Sequence, residues 1–92
     1  MPPLSTQQAN DLLATLPGWQ IAADELVRTF QFEDFLAAMR FVNRVAELAE
    51  EAGHHPDIDI RYNRVRLALV THDAGGLTSR DFDLAGRADK AI

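Results

Sequence analysis

Apolar residues in this chain recur with two periods, one near 3.6 and one of 2, and the alternation between them outlines the fold. Ala9, Leu12, Leu13 and Leu16 fall on one helical face. Ser5 with Gln8 three positions on has the form of a capping box, so a first helix is predicted over roughly residues 5 to 15. Pro17-Gly18 ends it. Trp19-Gln20-Ile21 and Leu26-Val27-Arg28-Thr29-Phe30-Gln31-Phe32 read as two short strands, turning through Ala23-Asp24-Glu25. The helical period then returns in Phe35, Ala38, Met39, Val42, Val45, Ala46 and Ala49, with Asp34 as N-cap and Gly53 as the C-terminal stop. A hairpin follows. Ile58, Ile60 and Tyr62 alternate with Asp57, Asp59 and Arg61, and beyond a turn at Asn63-Arg64, Val65, Leu67 and Leu69 alternate with Arg66, Ala68 and Val70. His72 is placed at the end of that strand, Asp73 to Gly76 form a loop, and Thr78 opens a final short helix.

The order α-β-β-α-β-β-α predicts an α+β fold, a single four-stranded antiparallel sheet with helices packed on one face. Residues 1–92 are read as one domain with a modest core. Val65, Leu67 and Leu69 should face the helices, while Ala68 and Val70 leave the other sheet face partly apolar. Such a face favours a second subunit over water, so a homodimer or homotetramer is expected.

Charge and composition then narrow the function. A net charge of −5, with nine scattered basic residues, argues against nucleic acid as a partner, because phosphate binding needs a basic face. No run approaches the ~20 apolar residues of a membrane helix, and no basic region precedes an apolar leader; a cytoplasmic protein without membrane contact is expected. The chain has no cysteine, which removes disulfides and thiolate zinc sites and fits a reducing compartment.

The chemistry concentrates on three histidines in two stretches, Gly53-His54-His55-Pro56 and Thr71-His72. Histidine exchanges protons near neutrality, with an unperturbed pKa of roughly 6.5. Counting outward from the hairpin turn brings His72 to the level of Asp57 within a residue or two, so the two stretches should meet and form a proton-transfer site. His54 and His55, as neighbours in an extended segment, point to opposite sides and take different roles. Zinc is a weaker reading: Asp57, Asp73 or Asp81 could add an oxygen ligand, but adjacent histidines rarely converge on one ion, and no i, i+4 pair is present. No metal is expected. Nucleophilic catalysis lacks both a cysteine and a serine in a nucleophile-elbow context. Thr78-Ser79-Arg80-Asp81 has the capping-box pattern, which alone would occupy Asp81. Glu50, in the last turn of the long helix, opposes the helix dipole. Gly75-Gly76 lacks the context of a phosphate loop and is read as a turn.

These residues carry a resemblance. Glu50-Glu51-Ala52-Gly53-His54-His55-Pro56, Tyr62-Asn63-Arg64-Val65, and Leu69-Val70-Thr71-His72-Asp73-Ala74-Gly75-Gly76-Leu77-Thr78 with Asp81 and Leu84-Ala85 look like the pterin-4a-carbinolamine dehydratase family. Leu16-Pro17-Gly18-Trp19 and Phe30-Gln31-Phe32-Glu33-Asp34-Phe35 extend the likeness through the N-terminal half. The resemblance implies a lyase that converts 4a-hydroxytetrahydropterin to quinonoid dihydropterin and water, needing no cofactor, in recycling the pterin used by an aromatic amino acid hydroxylase. By similarity, His54 and His72 would be the acids that approach the hydroxyl, and His55 would mainly hold the pterin and help with proton transfer. Glu50 and Asp81 would orient histidines or balance charge, with Pro56 and Thr71 on the substrate side. One departure is Ile58, where many relatives carry an aromatic residue two positions after the proline; it alters one pocket wall. The contrasting reading is a non-catalytic oligomeric interaction module on the same fold.

Overall fold

A computed structural model describes residues 2–92. Its elements follow the order α1 (Thr6–Leu13), β1 (Gln20–Ala22), β2 (Glu25–Gln31), α2 (Phe35–Ala52), β3 (Asp57–Arg61), β4 (Arg64–Leu69), a short 3-10 turn (His72–Ala74) and α3 (Ser79–Asp89). The four strands form one antiparallel sheet in the order β1-β2-β4-β3, so the two hairpins sit side by side and join through β2 and β4. The expected α+β architecture is the one observed.

The local signals act where the sequence puts them. Ser5 and Gln8 close a reciprocal capping box on α1. The Asp34 side chain accepts from the Ala37 amide at 2.8 Å and starts α2. Gly53 ends α2 in the left-handed conformation, φ 60°. Its amide donates to the Glu50 carbonyl at 3.2 Å and that of His54 to the Ala49 carbonyl at 3.1 Å, the paired bonds of a Schellman motif. That motif turns the chain sharply out of α2 and into β3.

Leu26, Phe30, Val65, Leu67 and Leu69 line one sheet face and pack with Ala38, Phe41, Val45, Leu48 and Ala49 of α2 and with Phe82, Leu84, Ala85 and Ala88 of α3. On the other face Val27 pairs with Ala68 across β2 and β4, and both are already covered within the single chain. The large apolar side chains left exposed lie elsewhere: Phe35 and Leu36 at the start of α2, Ile60 and Tyr62 in the β3–β4 hairpin, and Ile92. Ile58 is half-buried against the core.

Several boundaries differ from expectation, β1 and β2 by one residue each. α1 is shorter than the predicted helix and stops at Leu13. The β3–β4 turn is Tyr62-Asn63, one residue earlier than read, because Arg61 pairs with Arg64 and Tyr62 takes a positive φ of 52°. β4 ends at Leu69, and His72 opens the 3-10 turn instead of closing a strand. Gly75 in the left-handed conformation closes that turn by donating its amide to the His72 carbonyl.

Candidate active site

The β3–β4 register builds the site. Asp57 pairs with Ala68, which places His54 level with Thr71 once the pairing is continued three residues outward. Thr71 is held there by a bridge to Gly76, so it stays beside the sheet even though the strand has ended. From the third direction comes α3, whose first turn lies against the end of α2. The Arg80 guanidinium donates to the Gly53 carbonyl at 2.9 Å, and Arg87 pairs with Glu51 at 2.8 Å. Four elements therefore converge on one point: the C-terminus of α2, the lead-in to β3, the segment after β4 and the N-terminus of α3.

Asp81 is the centre of that point and is fully buried. Its Oδ1 lies 2.5 Å from His54 Nε2. Its Oδ2 accepts from the Thr71 hydroxyl at 2.9 Å and from the Thr78 amide at 2.9 Å. The Thr71 and Thr78 hydroxyls are themselves 2.8 Å apart. The capping box read from the sequence is present, and it is only half of what this carboxylate does. A buried carboxylate with three donors is held in one orientation, since any rotation leaves a buried polar group unpaired.

The three histidines are placed differently. His54 is buried and fixed at its ring by Asp81. His55 is exposed and its Nε2 is hydrogen-bonded to the exposed Glu50 carboxylate. The two therefore do face different surroundings and take different acidic partners. His72 is exposed, one residue beyond the Thr71 that shares Asp81 with His54. Pro56 is half-buried at the entry to β3. Glu50 and Asp81 each contact a histidine, as the family resemblance implied. Thr71 turns its hydroxyl inward onto Asp81 and Thr78. Thr78 is a member of the cluster that sequence reasoning treated only as a helix start; its signal was the capping box itself.

Among the described residues, no group of three or more His, Asp or Glu side chains is arranged to hold a metal ion. What the cluster offers is proton exchange: His54 and His55 each backed by a carboxylate, with His55 and His72 open to solvent and His54 buried.

A family model described as Pterin 4 alpha carbinolamine dehydratase matches residues 2–91. The chain belongs to that family. A protein of Acidobacterium capsulatum, provisionally named a pterin-4-alpha-carbinolamine dehydratase, is 66% identical over 92 residues, covering 100% of both chains. One of Chloroflexus aurantiacus with the same provisional name is 60% identical over 92 residues, covering 100% of this chain and 99% of its own. Among solved structures, a transcriptional coactivator/pterin dehydratase from Brucella melitensis superposes with a TM-score of 0.93 at 34% identity, covering 97% of each chain. A pterin dehydratase-like protein described as a RuBisCO assembly factor in the alpha-carboxysome superposes with a TM-score of 0.65 at 26% identity, over 79% of this chain and 84% of that one. The dehydratase fold is thus also used in a protein named for assembly.

Proposed function

We propose that this member of the dehydratase family dehydrates a 4a-hydroxytetrahydropterin, tetrahydrobiopterin-derived or similar, by histidine acid/base catalysis. The reaction breaks the C4a–O bond, with the hydroxyl taking up a proton and leaving as water. A ring N–H proton is lost, and its electron pair closes the C=N bond of the quinonoid dihydropterin. Both events are proton transfers, and neither requires a nucleophile or an electron carrier. The observation that supports this reading most directly is the meeting of the two histidine stretches through Asp81, which backs His54 while His72 follows Thr71 in the same network. In this scheme His54 and His72 serve the hydroxyl and the ring proton, His55 with Glu50 holds the pterin at the mouth, and Pro56 shapes the wall beside them. The same reading carries a cytoplasmic enzyme linked to an aromatic amino acid hydroxylase that supplies its substrate, and a self-associating chain.

The test is the decay of 4a-hydroxytetrahydropterin, generated in situ by a hydroxylase, with and without metal-free protein. Acceleration at substoichiometric protein is expected, and His72→Ala should slow it by roughly 10²–10⁴-fold while the melting profile stays native, as for a lost general acid at an exposed position. Full activity in that variant sinks the role given to His72. The assembly-factor description of one fold relative supports a second reading, a non-catalytic interaction module. No acceleration by folded protein would favour it.

A further inference from the structure

We propose that Thr71 and Thr78 are positioning residues, whose hydroxyls form a one-way donor chain that aims Asp81 and so fixes His54 with its proton on Nε2 and its Nδ1 lone pair free. The inference rests on His54 serving the dehydration and extends that reading to residues outside the histidine–carboxylate set. The direction of the chain follows from counting protons. The Arg80 amide lies 3.3 Å from Thr78 Oγ1 and has only a hydrogen to give. An ionised Asp81 has only lone pairs, so the Thr71 hydroxyl proton is directed to Oδ2. Each hydroxyl carries one proton. The 2.8 Å contact between the threonines can therefore be made in one sense only, Thr78 donating to Thr71.

With the Thr71 hydroxyl and the Thr78 amide both on Oδ2, the carboxylate presents Oδ1 to His54. An acceptor at Nε2 selects the neutral imidazole that carries its hydrogen there. The ring is buried and held at Nε2 by Asp81, on a backbone fixed by the His54 amide bond to the Ala49 carbonyl. Among the described residues no buried side-chain nitrogen or oxygen is left without a partner and none is bonded to Nδ1 of His54, so Nδ1 keeps access to solvent. It is the atom left to exchange a proton with a substrate. Thr71, Thr78 and Asp81 are all buried, so no bulk water substitutes for a missing hydroxyl.

Thr71 is the cleaner of the two to test, because Thr78 also caps α3 whereas the Thr71 side chain caps nothing. The experiment is a ring-nitrogen NMR correlation of His54 at mildly alkaline pH, run beside steady-state kinetics, for native protein, Thr71→Val, Thr71→Ala and Thr71→Ser. Native protein should show a protonated Nε2 and an imine-type Nδ1. Thr71→Val should mix the tautomers and lower kcat about tenfold with KM little changed, the size of one lost hydrogen bond to a charged group, and Thr71→Ser should restore both. Thr71→Ala removes the same hydroxyl and is read alongside, so that a folding failure in one variant does not decide the matter. The proposal is overturned if native His54 carries its proton on Nδ1, or if both hydroxyl-free variants keep native ring signals while only their melting temperatures fall. Ring signals that respond in a protein without dehydratase activity would support the chain and overturn the reading it rests on.

Discussion

At the scale of single residues, Asp81 shows how a helix cap becomes part of a site. Thr78 and Asp81 are three positions apart, and the cap they form is visible in any sequence window. The bond to His54 spans 27 positions, and that to Thr71 spans 10, so both depend on the register of a hairpin and the docking of a helix. Asp81→Asn separates the two layers. The amide oxygen can keep the Thr71 hydroxyl and the Thr78 amide, but the NH₂ then faces His54 Nε2, which must move its hydrogen to Nδ1 to accept. A charge-assisted bond becomes a neutral one and the native tautomer is lost, at a cost of roughly 1–2 kcal/mol. The melting temperature should fall accordingly, and kcat with it; a variant as stable as the native chain would show that the carboxylate charge is not needed there. The sequence pointed to His54 because the chain has only three histidines, whereas Asp81 and Glu50, two of fourteen acidic residues, were marked out as neighbours of the chemistry by the family resemblance and not by spacing. It could not show that Thr71 is turned inward, since a threonine beside a histidine at a strand end reads equally well as exposed.

At the scale of elements, the sharp exit from α2 matters more than the length of any strand. Gly53 takes φ 60°, where nothing crowds a side chain but the backbone itself disfavours a Cβ. Gly53→Ala should therefore cost about 1–2 kcal/mol from conformation alone. Because the same turn carries the amide bond that pins His54, the loss should appear both as a lower melting temperature and as faster hydrogen exchange at the His54 amide. Unchanged exchange there would mean that Asp81 alone fixes the histidine. This stop was legible because glycine after a helical run is a strong signal. The end of β4 was not. Val70 and Thr71 continue the β-favouring composition, yet pairing stops at Leu69, where the bridge between Thr71 and Gly76 and the left-handed Gly75 draw the chain into a 3-10 turn. The hairpin turn slipped for a related reason: Tyr62 occupies the positive-φ position that propensity assigns to glycine or asparagine, so composition favoured the later dipeptide.

At the scale of the whole molecule, α3 is anchored at its far end as well as at the site. Trp19 is buried and donates its indole N–H to Asp89, at 2.9 and 3.1 Å from the two carboxylate oxygens. Arg28 of β2 pairs with the same carboxylate at 2.7 Å and lies 4.3 Å from the centre of the Phe30 ring. These bonds join residues 61 and 70 positions apart and lock the C-terminal helix onto the first hairpin. A chain of this size buries only roughly two-thirds of its surface, so a cross-chain lock of this kind is a sizeable share of its stability. Since Asp81 lies in the first turn of α3 and Asp89 at its last residue, both ends of the helix are fixed by carboxylates, one in the site and one in the frame. Asp89→Ala unpairs the indole and frees Arg28, whose partial exposure lets water compensate in part, so a loss of about 1–2 kcal/mol is expected. The first turn of α3 is still held by Arg80 on Gly53 and by the Thr78–Asp81 box. The variant should accordingly melt earlier while retaining the native kcat below its transition. If kcat instead falls in step with stability, α3 moves as one rigid lever and the site has no local anchor of its own.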